Sequence, residues 1–261
     1  DYTFLNLNDC KVYDRVDELK NLYSKFDVFT CQFSGAVFHP VCYDYPKNKY
    51  TEISESKVNG KFGSVKNLID KFEPKLYIPA AGPPVFLDPN LLSINFQEVN
   101  IFSSPYKFKS FLNDHMPELK VEVPVPGSSF IYSDQKIIID HPVENVEKLY
   151  DKENVYDYAK KMSYIFEERE AQKLNYEPLE VQKNLFEELK LKLSNFDIEQ
   201  DMDVTMEFSL DEIDDTSIYI NFGTKDIKIE EKNQSNTSGT YEISSSVGDV
   251  GRLLDGYLNW E

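Results

Sequence analysis

The order of apolar and polar positions changes period along this chain, and each period predicts a different kind of element. From residue 1 to about 80 it reads strand, helix, strand, helix, strand, over Tyr2–Leu7, Arg15–Lys25, Val28–Phe33, Val58–Phe72 and Leu76–Pro79. Val16, Leu19, Leu22, Tyr23 and Phe26 recur at spacings of three and four, which sets them on one stripe of a helix able to lie on a sheet. Strands alternating with helices imply βαβ units and a parallel sheet. Such a sheet gathers the loops that follow its strands along one edge, where α/β proteins bind their ligands.

From about 81 to 142 the chain is rich in Pro, Gly and Ser, which predicts an irregular connection with short strands near Leu119–Val125, Ser129–Tyr132 and Ile137–Ile139. Val143–Arg169 and Pro178–Leu193 predict two long helices, expected to form an antiparallel hairpin. Beyond about 200 the period becomes two, in Val204–Phe208, Ile218–Phe222, Ile227–Ile229 and Tyr241–Ile243. That alternation predicts an antiparallel sheet with one wet face, covered by a helix over Val247–Leu258. The expected organisation is therefore α/β over 1–142, a helical hairpin over 143–195 and a small α+β module over 196–261.

Composition narrows the function classes. Hydrophobic residues at 41% and aromatics at 14% supply a genuine core. With 46 acidic against 28 basic side chains the formal charge is -18, which repels nucleic acid and anionic membranes, so a phosphate-bearing ligand would need a local positive pocket. Cys10, Cys31 and Cys42 have neither a disulfide-framework pattern nor a chelating spacing, which points to a reducing compartment. No apolar run reaches the roughly 18 residues that cross a bilayer, and no basic-then-apolar leader is present, so the chain reads as cytoplasmic. A strand pattern at residue 2 and a helical pattern running to Trp260 lead us to expect truncation at both ends.

Candidate chemistry concentrates after the first three strands. Asp9 follows the first, where a carboxylate can ligate a hard or borderline cation or simply cap a turn. Ser34 and Gly35, in Ser34-Gly35-Ala36, follow the second and allow close backbone approach to a ligand. Without a GxSxG setting or a partnered base, Ser34 is not a nucleophile. His39 is a second candidate metal ligand, or a plain loop histidine. Ala81 and Gly82 follow the third strand in a nearly side-chain-free corner that can shape a pocket but cannot titrate. His115 and His141 stand in unrelated contexts, and no self-contained catalytic motif exists.

Three segments together resemble a known family: Leu5-Asn6-Leu7-Asn8-Asp9-Cys10, then Asp27-Val28-Phe29 leading to Gln32-Phe33-Ser34-Gly35-Ala36, then Tyr77-Ile78-Pro79-Ala80-Ala81-Gly82-Pro83. They resemble the second half of a metallo-β-lactamase αββα fold of the kind found in CMP-N-acetylneuraminate hydroxylase and bacterial UDP-N-acetylmuramate hydroxylase. Tyr241-Glu242-Ile243 and Leu253–Glu261 resemble the segment after that fold. The resemblance implies a nucleotide-sugar N-acyl hydroxylase whose substrate pocket is shaped by Ser34, Gly35, Ala81 and Gly82, with Asp9 as a late metal ligand. The HxHxDH motif that supplies most metal ligands would lie upstream, in a missing N-terminal half of the fold, and the Rieske iron-sulfur cluster in a missing domain. Zinc or iron is then expected only with that upstream segment, and no cofactor in this chain alone. The corner at Ala80-Ala81-Gly82 lacks the family's last histidine ligand. Two other readings stay open: a metal-dependent hydrolase of the same fold, and a non-catalytic binding or scaffolding module.

Overall fold

The computed structural model describes all residues except 1, 9, 11, 24, 36, 90, 134–135, 166–174, 195–203, 224–226, 234–239 and 257–261. The chain divides into two compact units, residues 1–167 and 168–261. Both are mixed α/β.

In the first unit four parallel strands lie in the order β1 (Phe4–Asn8), β2 (Val28–Gln32), β3 (Leu76–Ala80), β4 (Lys120–Val121). Helix α1 (Val16–Leu22) joins β1 to β2, and α2 (Lys47–Phe72) lies between β2 and β3. The parallel sheet read from the βαβ alternation is thus present. Helix α1 is shorter than its stripe suggested: Val16 is buried, whereas Leu22 and Tyr23 are exposed and Phe26 is buried beyond the helix end.

Helix α2 starts eleven residues before the expected Val58. Its first turns are polar, and the inward face is carried there by Ser54, followed by Val58, Phe62, Val65, Ile69 and Phe72 at helical spacing. Those side chains and Phe108 and Leu112 of α3 (Pro105–His115) bury one face of the sheet, made of Leu7, Phe29, Cys31, Phe33, Tyr77 and Val121. Aromatic rings dominate this core: Phe33 stacks on Phe108 at 5.4 Å, and Phe29 meets Phe72 edge-on at 5.2 Å. Helix α3 is started by Ser104, whose Oγ accepts from the Lys107 N–H at 3.2 Å, with Pro105 in the first turn.

The predicted strands at 129 and 137 form an antiparallel hairpin, β5 (Ser129–Ser133) with β6 (Lys136–Asp140), and Tyr132 of that hairpin packs on Tyr2 at 4.6 Å. The long helix expected over Val143–Arg169 is instead a 3₁₀ turn, Glu147–Tyr150, followed by α4 (Lys152–Met162). The Asp151 backbone between them is extended, which interrupts the helical hydrogen-bond ladder. The C-terminal part of that expected helix lies outside the described residues.

In the second unit the strand order is β10 (Thr240–Ser245), β7 (Val204–Leu210), β8 (Thr216–Phe222), β9 (Ile227–Asn233). Three of the strands form the expected antiparallel meander, but β10 pairs parallel to β7, so the sheet is mixed rather than antiparallel throughout. Alternation sets which face a residue occupies and leaves the direction of its neighbour open. Two helices cover the apolar face: α5 (Pro178–Leu193) supplies Val181 and Leu185, and α6 (Val247–Leu254) supplies Val247 and Val250. Gly251 of α6 lets the Tyr176 ring lie against the backbone, since a Cβ there would stand 2.6 Å from the ring. One covering helix is expected from the sequence, and α5 packs on this sheet as well.

Candidate functional site

The parallel strands end level with one another. Asn8 pairs with Cys31, Cys31 with Pro79, and Gln32 with Ala80. The loops leaving β2 and β3 therefore start from neighbouring positions, and they carry Ser34–Gly35 and Ala81–Gly82 at one sheet edge. Asp9, the predicted metal ligand, follows Asn8 in sequence and lies outside the described residues.

Two non-glycine residues at this edge hold left-handed backbone, Asn8 with φ 36° and Ala81 with φ 46°. For a residue with a Cβ that conformation costs roughly 1–2 kcal/mol, less for Asn. Strained backbone of this kind concentrates at functional sites. Ser34 is 2% exposed, and its Oγ has no hydrogen-bond partner among the described residues. The neighbouring Gly35 N–H donates to the Ile101 carbonyl at 3.1 Å. A Cβ at Gly82 would meet nothing within 4 Å, so that corner is open.

His39 is half-buried, with Nε2 3.2 Å from the Tyr45 hydroxyl and its ring edge-on to Tyr43 at 4.8 Å. Its carbonyl accepts from Lys57 Nζ at 3.0 Å. One turn further along α2, Lys61 Nζ donates to the Gln32 amide oxygen at 3.4 Å. Neither lysine is a candidate in the sequence, where this helix is expected to begin only at Val58; their spacing of four, which aligns them on one side of a helix, is the signal that could have found them.

Below the edge, Tyr77 donates to the Cys31 carbonyl at 3.0 Å. Burial pushes the Cys31 thiol up to about 11, against the hydrogen bond with Tyr77 and the positive charge of Lys61. Burial likewise holds the Tyr77 hydroxyl well above its ordinary range. Neither group is a base at neutral pH.

The edge is braced by a small apolar cluster, formed within the segment expected to be an irregular connection. Ile94, Ile101 and Phe102 pack with Val41 from the β2 loop and Phe86 from the β3 loop. Asn95 fixes the β3 loop from both sides, accepting from the Phe86 N–H at 2.9 Å and donating to the Phe86 carbonyl at 2.7 Å. Asn100 donates to the Ile94 carbonyl at 2.6 Å and accepts from the Phe102 N–H at 2.8 Å.

A cavity of about 560 Å³ opens in the second unit, lined by Glu187, Glu188 and Leu191 of α5, Leu253 and Leu254 of α6, and Asp255 just past the end of α6. Its carboxylates are the wrong sign for a phosphorylated ligand. Among the described residues no three or more His, Cys, Asp or Glu side chains gather where they could hold a metal ion. No helix among them is long and apolar enough to cross a membrane.

No protein-family model matches the chain, and no solved structure matches it significantly. It is similar to a putative Rieske 2Fe-2S iron-sulfur protein of Mycolicibacterium smegmatis (strain ATCC 700084 / mc(2)155), 28% identical over 176 residues, which are 65% of this chain and 34% of the relative. A protein of the same description from Mycobacterium tuberculosis (strain ATCC 25618 / H37Rv) is 27% identical over 178 residues, 65% of this chain and 34% of the relative. The chain thus spans about a third of the length of these curated relatives.

A Rieske cluster takes two cysteines and two histidines, and the residues present here do not fit it. Cys31 is buried against Tyr77 with its thiol kept protonated, while Cys10 and Cys42 are exposed. His115 bonds the Phe111 carbonyl through Nδ1 at 2.8 Å, and His141 bonds Ser128 Oγ at 2.8 Å. These donors belong to separate local structures.

Proposed function

We propose that this chain is the substrate-shaping part of a Rieske-associated oxygenase of the nucleotide-sugar N-acyl hydroxylase type, and that residues 1–142 form the second half of a metallo-β-lactamase-like fold. The likeness to proteins named for a Rieske 2Fe-2S cluster supports an iron-sulfur system. The observation that carries the site is the level ending of β2 and β3, with strained Ala81, open Gly82 and, unpartnered among the described residues, the Ser34 hydroxyl along one edge. In this reading Ser34, Gly35, Ala81 and Gly82 border the sugar-nucleotide pocket, Asp9 is a late ligand to zinc or iron, and His39 is a second candidate.

The iron-sulfur centre belongs to ligands other than this chain's cysteines and histidines. The substrate and the N-terminal half of the fold are the chain's partners; its charge of -18 opposes nucleic acid and membrane surfaces. A cytoplasmic location accords with the absence of a cysteine framework. In the overall reaction one atom of O₂ enters the N-acyl group, and the other leaves as water with two electrons from a reductant.

The test uses the full-length protein purified without oxygen and supplied with a reductant, O₂ and either UDP-N-acetylmuramate or CMP-N-acetylneuraminate. The reading expects a product heavier by one oxygen atom, with iron and acid-labile sulfide in the purified protein. Hydrolysis without oxygen incorporation would select a metal-dependent hydrolase of the same fold. Binding without any turnover would select the scaffolding module, a second reading favoured by the scattering of metal-ligating side chains among the described residues.

A further inference from the structure

We infer that the outer edge of β10 pairs antiparallel with β10 of a second copy of this chain, about a twofold axis at Ile243. β10 ends the sheet of the second unit, and among the described residues no strand bonds its outer side. Residues 241–244 are exposed. An unpaired strand edge is a template for another strand, and proteins commonly guard such edges with charge. The opposite edge is guarded in that way, since β9 carries Lys228, Glu230, Glu231 and Lys232. β10 reads Thr240-Tyr241-Glu242-Ile243-Ser244-Ser245, with Glu242 its one charge. In place of charge it exposes Tyr241 at 62% and Ile243 at 37%.

Backbone direction decides which register can form. The Ser245 carbonyl accepts from the N–H of Asp211, just past β7, at 3.0 Å. Backbone groups alternate sides along a strand, so the N–H and C=O of Glu242 and Ser244 point away from β7. An antiparallel pair centred on Ile243 sets Glu242 of each copy opposite Ser244 of the other, as hydrogen-bonded pairs that exchange both bonds. Ile243 then meets its own copy at the close, non-hydrogen-bonded position, and Tyr241 meets Ser245. No like charges face each other, whereas centring on Glu242 would oppose two carboxylates. The side chains favour the same register. Ile243 is level with Phe208 of β7 and Tyr241 with Met206, so both continue the apolar face that α5 and α6 cover. Pairing at Ile243 carries the Phe208–Ile243 row into the second copy and removes from water apolar surface that the two helices leave exposed. Each copy carries a charge of -18, so salt should favour the association by screening. A strand from a basic partner would show the opposite dependence.

The test is sedimentation equilibrium of the full-length protein. Its mass should rise reversibly from one chain toward two at concentrations up to about 1 mM, and the rise should be larger at about 0.15 M than at about 0.01 M salt. Ile243→Lys should weaken the association roughly tenfold or more. Glu242→Pro should do the same, because it removes an outward N–H and leaves the bonds to β7 in place. Glu231→Ala, on the opposite edge, should stay within about twofold. Crosslinking reads the register. With Cys10 and Cys42 replaced by serine, Ile243→Cys should oxidise to a disulfide-linked dimer, since close antiparallel pairs lie within disulfide reach, whereas Tyr241→Cys should not. A single-chain mass throughout, an association that Ile243→Lys leaves intact or that salt weakens, or equal crosslinking through Tyr241→Cys overturns the inference.

Discussion

Gly35 donates its N–H to the Ile101 carbonyl at 3.1 Å, and a Cβ at position 35 would stand 2.9 Å from that same oxygen. The contact ties the loop after β2 to the segment that braces the sheet edge, and only glycine permits it. Gly35→Ala should therefore force backbone apart and destabilise the protein by about 1–3 kcal/mol. Gly82→Ala, in open space, should stay within about 0.5 kcal/mol. Denaturant unfolding of the two variants checks the contrast, and equal effects would mean that Ile101 does not pack on the β2 loop.

Ala81 supplies a second backbone test. Replacing alanine by glycine ordinarily costs stability, yet at φ 46° the substitution removes the Cβ penalty of left-handed backbone. Ala81→Gly should accordingly be neutral or stabilising by up to about 1 kcal/mol, measured as the unfolding midpoint. A clear loss of stability would place Ala81 in ordinary backbone.

The three cysteines should separate by reactivity. Cys31 is buried with its thiol pushed up to about 11, so it stays protonated and shielded at neutral pH, whereas Cys10 and Cys42 are exposed. Titration of the native protein with a thiol reagent should give two fast equivalents and one that appears only on unfolding. Three equivalents of equal rate would contradict the packing of β2 on β3.

Much of the first unit was legible because Val28–Gln32 and Leu76–Ala80 are apolar enough to be buried strands and the helix between them carries a stripe at a period near 3.6 from Val58 to Phe72. The start of α2 was not legible: Lys47 to Lys57 is polar, and its helix is held by one inward face rather than by an apolar stripe. The direction of β10 was hidden for a different reason, since Tyr241-Glu242-Ile243 alternates identically whether its neighbour runs parallel or antiparallel. Ser34 and the Ala81–Gly82 corner could be placed at one edge from topology alone. Lys57 and Lys61 could not, because a lysine on a helix usually signals only a solvated face and its distance to Gln32 or His39 is a tertiary fact.

Asp27 gives the fold a pH dependence at its acid end. Its buried carboxylate lies 2.9 Å from Lys75 Nζ and accepts from the Thr3 N–H at 3.0 Å. Burial raises its pKa, but the Thr3 N–H and the lysine charges outweigh this and hold it below the ordinary 3.8. A folded-state pKa below the unfolded one contributes stability that is complete above 3.8 and is lost as pH falls through the lower folded value. Asp27→Asn should cost about 1–3 kcal/mol at neutral pH, and the difference from the parent should shrink as the pH drops below that range. Unfolding measured across acid pH checks this; a difference that grows on acidification would reverse the sign.

Whether the edge formed by the loops after β2 and β3 takes a nucleotide sugar is decided by hydrogen exchange of the full-length protein with and without UDP-N-acetylmuramate. Exchange should slow in the segments around Ser34–His39 and Ala80–Pro84, with α5 and α6 unchanged. Protection confined to the cavity beside Glu187 and Asp255, or none in either loop, would remove the nucleotide sugar from this edge.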